Sequence, residues 1–93
     1  MVKRNQEFSK EVVIVNQLGL HARSAAKIAK LAKHAKSTIW VIKDRDKVDA
    51  SSIIDVLTLA CPKGSKIELS ADSQVDIDII NDIIALIERG FEE

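Results

Sequence analysis

Between Ala22 and Lys36 the chain carries six alanines and regularly spaced lysines, with no glycine or proline. Such a stretch is a strong helix former. Laid out at 100° per residue, Ala25, Ile28, Leu31, Ala32 and Ala35 share one apolar arc, and Arg23, Lys27, Lys30 and His34 run along its edge. An apolar stripe made largely of alanine lets the helix lie close on a flat apolar surface, and an amphipathic helix of this kind needs such a surface to cover.

Four short runs can supply that surface. Lys10–Asn16 (KEVVIVN) and Ser37–Lys43 (STIWVIK) are rich in β-branched residues, and Ser65–Ala71 (SKIELSA) alternates polar and apolar residues. The charged turn Asp44–Asp46 separates the second run from a short strand at Lys47–Ala50, so these two form an antiparallel hairpin. Ser52 precedes an apolar stretch and reads as the N-cap of a helix from Ser52 to Ala60, closed by Pro62-Lys63-Gly64. A last helix runs from Asp76 to Arg89. Val75, Ile79, Ile83, Leu86 and Ile87 form its core face, Asp76 and Asp78 suit its N-terminus, and Gly90 ends it. The order β-α-β-β-α-β-α predicts an α+β domain, with helices on one side of a largely antiparallel sheet.

Ninety-three residues make one domain, 1–93, with a polar N-terminal extension over 1–9. A chain of this size buries roughly 60–68% of its unfolded surface, which leaves no room for a deep catalytic cavity. Charge is uneven: residues 1–50 carry +6 and residues 51–93 carry −6. Two solvated faces of opposite sign explain this as well as a basic half that meets an anionic ligand or an acidic partner. One Trp and two Phe leave few stacking residues, so nucleic acid is not expected. No apolar run approaches the ~20 residues needed to span a bilayer, and the polar start is unlike a signal peptide, so a cytoplasmic protein without membrane contact is expected. The lone Cys61 reads as a packing residue, and the two histidines lack partners at ligand spacing, so neither a metal nor a cofactor is expected.

His21 sits between the Gly19 turn and the first helix. The first N–H groups of a helix lack intrahelical acceptors, and the dipole adds partial positive charge there, which together suit a phosphate. Arg23 adds a guanidinium able to grip phosphate oxygens. Neutral imidazole is the nucleophilic form. The combination fits a histidine that carries a phosphoryl group covalently. On spacing alone, an ordinary loop histidine near a helix start fits equally well. His34, near the far end of the same helix, reads as surface.

The run Gly19-Leu20-His21-Ala22-Arg23-Ser24-Ala25-Ala26 resembles the phosphohistidine motif of HPr, the small phosphocarrier family of the bacterial phosphoenolpyruvate-dependent phosphotransferase system. Ser51-Ser52-Ile53-Ile54-Asp55-Val56-Leu57-Thr58-Leu59 resembles the family's second signature, around a regulatory serine, and Pro62-Lys63-Gly64-Ser65 matches the turn before the last strand. The likeness extends from about Glu11 to Arg89. It implies an open-faced β-sandwich: a four-stranded antiparallel sheet in order 1-4-2-3 under three helices. It implies that Enzyme I phosphorylates His21 at Nδ1 and that IIA components receive the group. The backbone of Ala22 and Arg23 and the Arg23 side chain would hold the phosphoryl. Lys30 and Lys33 match basic positions that help meet partners, and Ser52 matches the serine that an HPr kinase/phosphorylase modifies in some bacteria. Such a protein is a monomeric intermediate in phosphoryl transfer rather than a stand-alone turnover enzyme. A regulatory adaptor of the same fold, which signals by binding and uses phosphorylation as a switch, is the alternative.

The chain departs from the family at Ser24, where proline is usual. Proline suits the first helical turn, and serine is expected to restore a donor there and loosen the turn. The second helix is apolar nearly all round, so part of it must face solvent. The resemblance puts Ile53, Ile54 and Leu57 on that exposed side beside His21, rimmed by Arg23, Lys27 and Lys30. If Val12, Ile14, Ile39, Val41, Ile67 and Leu69 face the helices, then Val13, Val15, Trp40 and Ile42 face outward with Lys66 and Glu68 between them. Either the Lys66 and Glu68 stems cover the Trp40 ring, or this face meets a second copy or an N-terminal segment bearing Phe8.

Overall fold

The β-branched runs form one sheet of four strands: β1 (Ser9–Val13), β2 (Ile39–Lys43), β3 (Asp46–Asp49) and β4 (Lys66–Ala71). The computed structural model describes residues 8–93. Of the expected polar extension, residues 1–7 lie outside the described residues, and Ser9 already belongs to β1. The sheet is antiparallel throughout, in the order β1-β4-β2-β3. Three helices cover it: α1 (Ala22–Ala32), α2 (Ile53–Leu57) and α3 (Ile77–Glu88). This is the α+β open-faced arrangement expected from the sequence.

Alternation along the strands decides which residues form the core. Val12, Ile14, Ile39, Val41, Ile67 and Leu69 are all buried against the helices. The alternate set faces outward as expected, with Val13 and Val15 exposed and Trp40 and Ile42 partly buried. Lys47 of β3 lies over the Trp40 ring, with its ammonium 4.8 Å from the ring centroid. Ile42 pairs with Lys47 and Trp40 with Asp49, so Lys47 reaches Trp40 along the diagonal of the hairpin. The indole N–H donates to Asp72 Oδ1 at 3.0 Å. Phe8 is itself partly buried.

Helix ends differ from the sequence expectation where distant polar groups intervene. α1 stops at Ala32 rather than Lys36. The Lys36 and Ser37 N–H groups donate to the two carboxylate oxygens of Asp76, at 2.8 and 2.7 Å, and the Ser37 hydroxyl joins them at 2.5 Å. The α-helical pattern has already given way at His34 and Ala35, whose N–H groups donate to the Leu31 and Ala32 carbonyls three residues back, and Asp76 takes the next two amides. Asp76 is therefore a buried anchor for the entry to β2, not merely a charge suited to a helix N-terminus. Ahead of α3, a 3-10 turn over Gln74–Asp76 turns Val75 out to 64% exposure, which corrects its place on the core face. Ile80 is fully buried there instead, beside Ile83, Leu86 and Ile87, while Ile79 is only partly buried. α2 is also shorter than expected: Ala60 adopts a left-handed conformation (φ 53) and ends that segment.

Gly90 ends α3 as expected, with φ +66. The next residues continue the left-handed turn, with Phe91 at φ 58 and Glu92 at φ 63, and Phe91 is fully buried in the core. No described helix is long and apolar enough to cross a membrane.

Candidate functional site

The site starts from a glycine that only glycine can be. Gly19 has φ +69, and a Cβ there would lie 2.5 Å from the Cys61 carbonyl oxygen and 2.8 Å from Pro62 Cα. That close approach lets Leu20 N–H donate to the Cys61 carbonyl at 2.8 Å, tying the His21 loop to the segment after α2. The loop is held at its other end by Asn16, whose carbonyl accepts from Gly19 N–H (3.1 Å) and whose Nδ2 donates to the Gly19 carbonyl (2.9 Å).

His21 is the N-cap of α1, with extended backbone (φ −127, ψ −178). Its Nδ1 accepts from Arg23 N–H at 3.2 Å. A ring nitrogen that accepts carries a lone pair, so Nδ1 is the unprotonated ring nitrogen and the ring proton sits on Nε2. By helix geometry the Ala22, Arg23 and Ser24 N–H groups have no intrahelical acceptor, so they surround Nδ1 with positive potential. The ring is 26% exposed, open enough for a donor to approach.

Ser24 reverses the expectation of a loosened turn. It is fully buried, and its Oγ accepts from His21 N–H at 2.9 Å. Its hydroxyl proton is directed at the carbonyls of His21 (3.1 Å) and Gly19 (3.3 Å). Proline can accept no such bond. The serine reaches back to the N-cap as half of a capping box, and it tightens the loop that presents the imidazole.

The sequence reading missed what lies on the other edge of the ring. Nε2 lies 2.5 Å from Glu93 Oε2, and Asn16 Nδ2 donates to Glu93 Oε1 at 3.0 Å. The hydrogen bond from His21, then that from Asn16, hold the Glu93 carboxyl below the usual carboxylate range, and the Arg23 charge adds to the pull. No local pattern announces this contact, because 72 positions separate the two residues.

The remaining expected residues fall around this centre. Arg23, Lys30 and Lys33 are exposed on α1. Lys27 is partly buried, and its ammonium donates to the Phe91 carbonyl at 2.7 Å, so it holds the segment after α3 rather than standing free at a rim. Ser52 caps α2, its hydroxyl accepting from Asp55 N–H at 3.3 Å. Ile53, Ile54 and Leu57 are exposed while Val56 and Leu59 are buried, so α2 shows an apolar face to solvent beside α1, against which it packs. His34 is exposed at the far end of α1. Cys61 is buried, which pushes its thiol up. Among the described residues no group of three or more His, Cys, Asp or Glu side chains is placed to hold a metal.

Comparison with known proteins bears on this arrangement. The family model described as the PTS HPr component phosphorylation site matches residues 8–89. Phosphocarrier protein HPr of Neisseria meningitidis serogroup A is 36% identical over 86 residues, covering 92% of this chain and 97% of that protein. Phosphocarrier protein NPr of Klebsiella oxytoca is 35% identical over 83 residues, covering 88% and 92%. The solved structure of HPr-C-His from Thermoanaerobacter tengcongensis superposes with a TM-score of 0.85 at 38% identity, covering 91% of this chain and 96% of that one.

Proposed function

The chain belongs to the HPr family of phosphocarrier proteins, and from that premise we propose that His21 Nδ1 is the atom that carries the phosphoryl group, with Arg23 steadying it. The chain is a phosphocarrier of the phosphotransferase system, and its partners are proteins of that system such as Enzyme I and IIA components. On our reading it acts as a monomer, accepting the group from Enzyme I and passing it to a IIA component. The observation that carries the assignment is the hydrogen bond from Arg23 N–H to Nδ1, which leaves that nitrogen with its lone pair at the positive end of α1. A phosphoryl bonded there lies against the same N–H group and within reach of the exposed guanidinium. Incubation with labelled phosphoenolpyruvate and Enzyme I should place an acid-labile label on the chain, and adding a IIA component should discharge it. Label retained in the presence of the IIA component would mark a binding switch instead.

The exposed apolar face of α2 and the cations of α1 suit docking, the first by burial and the second by steering acidic partners. Lys30, Lys33, Ile53, Ile54 and Leu57 are the docking residues in this reading, and Lys27 contributes by holding the Phe91 segment in place. Ser52 is its regulatory position, a substrate for an HPr kinase/phosphorylase. A phosphate there adds about −2 charge at the edge of the apolar face. Ser52→Asp is expected to weaken Enzyme I binding by about tenfold, through like-charge repulsion and desolvation at the contact. Titration calorimetry checks this, and unchanged affinity with the fold retained would remove Ser52 from the docking surface.

A further inference from the structure

The segment after α3 makes a costly turn for no packing reason that Phe91 alone supplies. Gly90, Phe91 and Glu92 all lie in the left-handed region, at φ 66, 58 and 63. For the two non-glycine residues this backbone is strained, so the surroundings must hold the turn. Three contacts do so. The Phe91 ring is fully buried, Lys27 Nζ donates to the Phe91 carbonyl at 2.7 Å, and Asn16 Nδ2 donates to Glu93 Oε1 at 3.0 Å. Their joint result is to set Glu93 Oε2 2.5 Å from His21 Nε2. Asn16 is almost fully buried and also grips the Gly19 carbonyl, so one side chain fixes the carboxylate and the histidine loop relative to each other.

We propose that Glu93, held by Asn16, is a positioning residue for phosphoryl transfer: its carboxylate grips Nε2–H and aims Nδ1 at the incoming phosphorus. The inference rests on the reading of His21 as the phosphoryl acceptor and adds a residue to it. The two edges of the ring have opposite tasks. Arg23 N–H marks Nδ1 as the acceptor edge, and Glu93 marks Nε2 as the donor edge. With both satisfied, the ring has one tautomer and one orientation. In the transfer, Arg23 N–H releases the Nδ1 lone pair and turns to a phosphoryl oxygen; that lone pair forms the N–P bond while the bond from phosphorus to the donor breaks and its electron pair returns to the donor. The ring keeps its Nε2 proton and gains positive charge, which the Glu93 carboxylate faces directly. When the group passes on, the N–P bond breaks, its electron pair returns to Nδ1, and the ring is neutral again with the same proton in place. Glu93 touches neither phosphorus nor donor and acts only through the imidazole.

The test uses the full chain labelled with nitrogen-15. An Nε2 proton held against a carboxylate is expected to give a far-downfield, slowly exchanging proton resonance in the wild type, absent in Glu93→Ala. With the carrier as substrate of Enzyme I, Glu93→Ala should lower kcat about tenfold while KM stays within about twofold, since a misaimed nucleophile loses rate rather than docking. Glu92→Gln, at an exposed neighbour whose carboxylate faces Arg89, should leave the resonance and both constants unchanged. A wild type without the resonance, a Glu93→Ala variant with wild-type kcat, or one that changes KM alone would each overturn the proposal. If the label proves to lie on a residue other than His21, it is the acceptor reading that has failed, and the resonance still reports whether the contact exists.

Discussion

Replacing His21 with alanine is expected to abolish acid-labile phosphorylation by Enzyme I completely while leaving the fold in place. The imidazole contributes two contacts, from Arg23 N–H to Nδ1 and from Nε2 to Glu93. The loop itself is held by backbone and neighbouring groups that the substitution does not touch: Ser24 Oγ on His21 N–H, Leu20 N–H on the Cys61 carbonyl, and Asn16 on Gly19. Loss of an N-cap side chain costs about 0.5–2 kcal/mol, against a domain stability of about 5–15 kcal/mol. A circular-dichroism melt should therefore show a folded protein, and the label should be absent at any Enzyme I concentration. Incorporation on the folded variant would move the acceptor to another residue.

The largest loss of stability is expected at Asp76. Its two oxygens accept from Lys36 N–H, Ser37 N–H and the Ser37 hydroxyl, and the residue is 2% exposed. Asp76→Ala leaves two partly buried backbone donors without acceptors, each worth about 1–3 kcal/mol at full burial, so a loss of about 3 kcal/mol follows. For a domain of this length that lowers Tm by roughly 15 °C or more. Asp76→Asn keeps one acceptor oxygen and should lie between. The carboxylate also makes stability depend on acid. Burial alone would push the Asp76 carboxyl up, but the Ser37 hydroxyl, the Lys36 and Ser37 amides and the Lys36 charge more than offset it and hold the group below its ordinary value. A carboxyl lowered in the fold stabilises fully above its unfolded pKa, and that stabilisation is lost as pH falls through the folded one. Denaturant midpoints should therefore drop for the wild type below about pH 4, and less steeply for Asp76→Asn. Parallel profiles for the two proteins would show that Asp76 contributes none of the acid dependence.

Local pattern was enough for the framework. Val12 and Ile14, Ile39 and Val41, and Ile67 and Leu69 declare their burial through a period of two, and Ala25, Ile28 and Ala32 through a period of 3.6. Gly19, His21 and Arg23 lie within five positions of one another, so a helix start with an anion-binding end could be read directly from their order. Ser52 as an N-cap and Gly90 as a helix stop are signals of the same short range, and both hold.

What the chain's own order could not reveal is which distant polar groups meet. Asp76 anchors the entry to β2 from 39 and 40 positions away, Asn16 and Glu93 meet across 77, and Glu93 reaches His21 across 72. Phe91 follows a helix-stopping glycine, where nothing marks it as core, yet it is fully buried. Ser24 looked like a weaker substitute for proline until the fold showed its hydroxyl on the N-cap amide. Hydrophobic periodicity is a property of a short window, because it records how successive side chains alternate between water and core. A hydrogen bond between remote side chains leaves no period in either segment, so the sequence determined the sheet, the helices and the place of His21 at a helix start, and only tertiary packing decided how that histidine is held.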